Sequence, residues 1–137
     1  MAKKPGRKKK TKKQKLAAEC DQLWKDIVKF RDKYTCQKCH KHPLLGANCH
    51  ASHVIPKSRS RSLAFAPLNG KTLCFHCHIN WWHKHPVEAG PWYRKTFAER
   101  WQWLEVQERI PVTITELWYS DHIKYLRWYF LLLRRSL

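Results

Sequence analysis

Cys36-Gln37-Lys38-Cys39 and Cys74-Phe75-His76-Cys77-His78 frame the stretch that decides the fold. Between them run Cys49-His50-Ala51-Ser52-His53 and Pro67-Leu68-Asn69-Gly70, and His83 follows shortly after. Two Cys-x-x-Cys pairs in so short a span are the signature of a four-thiolate zinc site. Each pair sets two thiolates a ligand distance apart, and one structural Zn2+ on Cys36, Cys39, Cys74 and Cys77 would clamp both ends of the loop between them. Cys49, His40, His42 and His76 are alternative donors, and the doubled spacing argues against them. The framed region has little apolar sequence of its own, so the free energy of binding zinc is also folding free energy.

Composition narrows the partner. The 137 residues carry 28 Lys and Arg against 10 Asp and Glu, a formal charge of +18, which calls for a polyanion. Nine of the basic residues lie in residues 1–15, where no acidic residue occurs, and the other nine excess charges belong to the rest of the chain. No Asp or Glu interrupts Lys33 to Val87, while eight Lys or Arg do. Six cysteines could build a secreted disulfide scaffold, but four fall in metal-type pairs and no apolar signal segment opens the chain. A reduced cytoplasm is the expected setting. The longest apolar run, Trp128 to Leu133, is far short of the roughly 20 residues of a membrane span, and no membrane association is expected.

The length suits one domain with a tail. Residues 1–15 read as a disordered basic arm that can touch phosphates. Leu16, Cys20, Leu23, Trp24, Ile27 and Phe30 recur at helical spacing and predict a helix within residues 16–35, with Cys20 in the core. Residues 36–86 form the metal-bound core, and residues 87–137 predict about two further helices. Pro86 and Gly90-Pro91 break the chain, and Pro91 suits the first position of a helix running toward Arg109. Thr113 and Glu116 have capping-box spacing and open a last helix from Ile114 to about Arg134. Its apolar residues cover more than one face, which implies deep burial or a homodimer through this helix. The eight tryptophans could stack on bases, but their helical spacing favours core packing. The fold class is therefore α+β.

The order His53, Asn69, His78 between the cysteine pairs resembles the HNH endonucleases of the ββα-metal fold, in their zinc-knuckled form. The wording from His50-Ala-Ser-His53 through Asn69 to Cys74-x-x-Cys77-His78 is most similar to the phage NinG/Rap recombination nucleases. The resemblance covers about fifty residues and says nothing of the C-terminal helices. It implies a β-hairpin bearing His53, a loop bearing Asn69, and a helix from the second cysteine pair bearing His78. It also implies a DNA-cutting enzyme from a phage or mobile element, at work in the host cytoplasm.

The residue types suit that chemistry. Phosphodiester hydrolysis needs a water deprotonated in line with the leaving group and charge stabilisation on the leaving oxygen. The resemblance makes His53 the general base, and imidazole titrates near working pH. Asn69 would hold the loop through its amide. His78 would hold a divalent metal, with His50 or His83 as second ligand. The family often has Asp or His before the base, where this chain has Ser52, and often a second helix ligand four residues after the first, where it has Trp82. Imidazole donors suit Mn2+, Co2+ or Ni2+ better than Mg2+. Lys57, Arg59 and Arg61 in the polar loop, with Lys71, are the expected DNA-phosphate contacts. Two other readings stay open: a non-catalytic zinc-finger DNA-binding module, and a junction-resolving recombination factor.

Overall fold

The computed structural model describes residues 2–136; the predicted tail and C-terminal segment reach Met1 and Leu137, which lie outside them. The first helix, α1, spans Lys12–Arg31. It starts earlier than the apolar stripe alone suggests because Thr11 and Gln14 form a capping box. Thr11 Oγ1 accepts from the Gln14 N–H at 3.1 Å, and Gln14 Oε1 accepts from the Thr11 N–H at 2.9 Å. The expected tail is thus shortened: residues 12–15 are helical, and of the described residues only 2–11 precede the helix.

The sheet has two short antiparallel strands, β1 (His50–His53) and β2 (Gly70–Leu73), paired His50 to Leu73 and His53 to Gly70. Alternation along the strands assigns their faces. Ala51, His53, Gly70 and Thr72 face α1, where Thr72 donates its N–H to Asp32 Oδ2 at 2.8 Å and its hydroxyl to the Val28 carbonyl at 3.3 Å. His50, Ser52, Lys71 and Leu73 face the other way, toward a π-helical segment at His76–Trp82. Arg31 ties the end of α1 to the hairpin, donating to the carbonyls of Pro67 and Gly70 at 2.7 Å each while pairing with Asp32.

Three helices follow: α2 (Pro86–Thr96), α3 (Ala98–Glu108) and α4 (Glu116–Arg135). The architecture is α+β, with one more helix after the hairpin than the sequence suggested. Pro86, not Pro91, takes the first helical turn. Pro91 lies inside α2, where it cannot donate the usual helical N–H toward the carbonyl of Val87; Val87 is 90 % exposed, so solvent is at hand on that turn. The break falls at Phe97 instead. Thr115 rather than Thr113 caps α4, its hydroxyl accepting from the Trp118 N–H at 3.1 Å. Among the described residues no helix is long and apolar enough to cross a membrane.

Apolar burial is divided among three clusters. The largest joins Cys20, Trp24, Ile27 and Val28 of α1 to Tyr119, Ile123 and Leu126 of α4, with Ala64 and Phe65 between. A second surrounds the cysteine pairs with Leu44, Cys49 and Leu73. The third gathers Ile55, Leu63, Ala66, Tyr93 and Leu104. Cys20 is a core residue, as expected, and Trp24 is fully buried.

Gly70 shows how tightly α1 seats on the hairpin. A Cβ there would stand 2.6 Å from both Trp24 Cζ2 and Val28 Cγ2. Gly70→Ala should therefore destabilise the protein by about 1–3 kcal/mol, the usual cost of overpacking. Chemical denaturation with zinc present measures this; an unchanged midpoint would mean that α1 is not seated here.

Candidate functional site

The four paired cysteines converge as the spacing predicts. Their sulfurs all lie within 4.8 Å of one another, and Cys39 and Cys74 are 3.8 Å apart. Four thiolates at about 2.3 Å from one tetrahedral zinc stand about 3.8 Å from each other, so the cluster fits a structural Zn2+. Burial works against the Cys36 thiolate, but backbone N–H groups of Cys39, Cys74 and Lys38 outweigh it and bring the pKa down to about 7. Burial and neighbouring sulfurs push Cys77 up. Without an ion, four sulfurs so close resist ionising together, so metal binding and proton release are linked. The alternative donors stay outside the set: Cys49 packs in the same apolar cluster as the pairs without joining the four grouped sulfurs, and His42 Nδ1 bonds the Thr35 hydroxyl at 2.9 Å.

His53 ends β1, and its ring is fixed from two sides. It stacks on Trp24 with centroids 4.0 Å apart and planes at 14°, and its Nε2 lies 2.7 Å from the Ala64 carbonyl. A carbonyl only accepts, so Nε2 carries the proton and Nδ1 keeps its lone pair. Burial pushes the His53 pKa down to about 4, leaving the ring neutral at pH 7. Asn69 is fully buried and holds the loop that presents Ala64. Its Oδ1 accepts from the Ile55 N–H at 2.7 Å, and its Nδ2 donates to the carbonyls of Ile55 and Leu63 at 3.0 and 2.9 Å.

The structure also brings His50, His78 and His83 into a row. His50 Nδ1 and His78 Nδ1 are 2.8 Å apart, and His78 Nε2 and His83 Nε2 are 3.0 Å apart. The π-helical winding explains why His83, and not Trp82, neighbours His78: its hydrogen bonds run to the fifth residue, as from the His83 N–H to the His78 carbonyl at 3.1 Å. Trp82 turns inward instead. Burial, then the neighbouring His83 and His50, push the His78 pKa down to about 4. Among the described residues the cysteines alone form a cluster of three or more metal donors. The histidines do not, because His78 meets its two neighbours with opposite ring nitrogens.

Lys71 requires a correction. The sequence places it on the DNA-binding surface, but it is fully buried and cannot reach a phosphate. Its Nζ donates to Ser52 Oγ at 2.9 Å and to the His53 carbonyl at 3.2 Å, and lies 3.2 Å from the centroid of the Trp82 ring. Burial holds its pKa well below the ordinary value. Lys57, Arg59 and Arg61 are exposed as expected. Lys57 pairs with Asp21 at 3.4 Å and Arg59 with Glu108, whereas Arg61 pairs with no carboxylate among the described residues. Exposed pairs of this kind are worth little and can exchange for phosphate. Sequence reasoning missed Trp24 and Ala64 as the supports of His53; only the strand register reveals them.

Comparison of the chain with protein-family models, with characterised proteins and with solved structures finds no match.

Cys74→Ser should release zinc and unfold the hairpin region, because a three-thiolate site leaves the loop ends unclamped. Metal content and a denaturation profile check this; full zinc stoichiometry with native stability would place the metal elsewhere. Asn69→Ala should cost about 3 kcal/mol, since it strands buried backbone groups of Ile55 and Leu63. A thermal midpoint equal to that of the unsubstituted chain would exclude that role.

Proposed function

We propose that the protein is a metal-dependent HNH-type endonuclease that nicks or cuts DNA by phosphodiester hydrolysis. The observation that carries this reading is the placing of His53: stacked on Trp24, with its Nε2–H committed to Ala64, its Nδ1 in no hydrogen bond among the described residues, and burial favouring the neutral ring. That is the state of a general base ready to take a proton from water. The water oxygen then attacks phosphorus, the bond from phosphorus to the 3′ oxygen breaks, and that oxygen takes a proton from solvent. His53 later returns its proton to solvent. The resemblance of the His53, Asn69, His78 order to HNH nucleases supports the same reaction.

The donor chemistry around His78 fits a divalent ion. His50 Nε2 lies 2.7 Å from the Ala47 carbonyl and must donate to it, which leaves His50 Nδ1 as a lone pair facing His78 Nδ1. Two nitrogens binding one ion at about 2.1 Å with a near right angle stand about 3 Å apart, close to the separation here. A divalent metal held by those two nitrogens would supply Lewis-acid stabilisation of the phosphate and the leaving oxygen. His83 then accepts the Nε2–H of His78 and orients its ring, a supporting role rather than ligation. Lys57, Arg59 and Arg61 offer cations to the flanking phosphates. The four-cysteine zinc site and the site of the catalytic ion are separate in this scheme.

His53→Ala should lower cleavage of plasmid DNA by a factor on the order of 100 or more while zinc content and DNA binding persist. Near-normal nicking by that variant would end the assignment. Failure of the unsubstituted chain to cut with any divalent metal, despite tight binding, would favour a zinc-bound DNA-binding module instead.

The acid limb of the pH–rate profile should lie below pH 6.5, roughly the value of an ordinary imidazole. Burial disfavours the charged ring, so the base stays unprotonated as pH falls, until pH nears its depressed value of about 4. The same sign applies to stability: the unfolded chain binds the proton first, so folding weakens as pH drops from about 6.5 toward 4. A limb at or above the ordinary value contradicts a buried base.

Metal titration of nicking separates the histidines. His50→Ala and His78→Ala should abolish activity at metal levels that saturate the unsubstituted chain, with Mn2+, Co2+ or Ni2+ effective at lower concentration than Mg2+. His83→Ala should only raise the metal requirement, by about 10–100-fold. Equal loss in His83→Ala and His50→Ala would make His83 a ligand.

A further inference from the structure

A cavity of about 450 Å3 opens between the 62–68 loop and the helices α3 and α4. Its size falls within the about 300–1,000 Å3 of small-ligand sites. Trp103, Trp118, His122, Tyr125 and Tyr129 line it, and Ser62 and Gln107 add hydrogen-bonding groups. Neither the zinc site nor His53 uses these residues.

We infer that this cavity receives one unpaired nucleobase of the bound DNA, so that the protein prefers duplexes carrying an unstacked nucleotide. The inference rests on the nuclease reading for the identity of the strand. Aromatic side chains offer faces, and a base offers a matching face only when it leaves the stack. The rings here are set in advance. His122 lies against Trp118 with centroids 4.7 Å apart and planes at 9°, and its Nε2–H donates to the Phe65 carbonyl at 3.0 Å. Trp103 and Tyr125 line the cavity while remaining 39 % and 44 % exposed, so a ligand can reach them from solvent. Ser62 and Gln107 can bond the edge of a base. Arg61, which pairs with no carboxylate among the described residues, directly precedes Ser62, which puts a phosphate contact beside the cavity mouth. This charge favours a nucleic acid over an apolar peptide.

The cavity also shares its wall with the base-positioning loop. Leu63 and Ala66 line it, while the Leu63 carbonyl holds Asn69 and the Ala64 carbonyl holds His53. A seated nucleobase therefore presses on the segment that orients the general base.

The test uses the full zinc-loaded chain without added divalent metal, so that binding is read apart from cleavage. Three labelled duplexes are compared: fully paired, with one unpaired adenine, and with an abasic unit at that unpaired position. The unpaired adenine should bind about tenfold tighter than the abasic unit, within the usual range for one base stacked on an aromatic ring. Trp103→Ala should erase that difference without changing affinity for the paired duplex, and Trp103→Phe should keep it. Equal binding of the adenine and abasic duplexes would overturn the inference, as would a difference that survives both Trp103→Ala and Tyr125→Ala. A dimer at working concentrations that Tyr125→Ala dissociates would also overturn it, by giving the cavity to a second copy. The nuclease reading fails separately, if no metal supports cleavage of any of the three duplexes.

Discussion

One buried carboxamide holds the loop on which the candidate site depends. Asn69 grips Ile55 by both its N–H and its carbonyl, and grips Leu63 as well, so the chain leaving β1 and the chain returning to β2 share one anchor. A loop of this length has no regular structure to fix its path, and its backbone groups would otherwise need water. Because the amide sits out of solvent, each of its bonds is costly to lose. The carbonyl next to the gripped residue is Ala64, which sets the tautomer of His53. Asn69 thus acts on the ring of His53 without touching it.

The hairpin itself is too small to stand alone, with four residues in each strand. Support comes from both faces. On one, α1 presses Trp24 against Gly70 and His53, and the Arg31–Asp32 pair latches onto Pro67, Gly70 and Thr72. On the other, the cysteine cluster and the π-helical segment close over Leu73 and Lys71. Lys71 is an unusual choice for such a position, buried with no carboxylate among the described residues in contact. Its bonds to Ser52 and to the His53 carbonyl join the strand to Trp82. In this chain the position before His53 therefore serves packing between layers and is not open to an ion.

Much of this was legible in the residues. Paired cysteines encode their own geometry, and the stripe Cys20, Trp24, Ile27 encodes a buried helix face, since both are local patterns. The hairpin was legible only through a resemblance, because strands this short carry little alternation. What local patterns cannot encode was misjudged. Lys71 looks like any basic residue until the register turns it inward. The His78–His83 contact is a partial exception: His83 was among the candidate ligands, but only a π-helical turn, and not ordinary helical spacing, sets it beside His78 in place of Trp82. Helix starts shifted for similar reasons: Thr11 and Thr115 compete with nearby residues for the cap, and backbone geometry rather than composition decides between them.

The pairing of α1 with α4 has a consequence for how the chain comes to be folded during synthesis. The bond from the Cys20 thiol to the Tyr119 carbonyl joins positions 99 apart in sequence, and the ion pair of Glu19 with Arg127 reaches still further. A ribosome releases α1 well before α4, so Trp24 and Ile27 emerge long before Ile123 and Leu126 can cover them. The cysteine pairs and the hairpin lie wholly between the two helices and leave the ribosome before α4 does. Capture of zinc can therefore assemble a platform on which α1 waits, one apolar face seated on the hairpin and the rest exposed. Only the arrival of α4 completes the largest apolar cluster, so the exposed face of α1 stays a liability until that helix emerges.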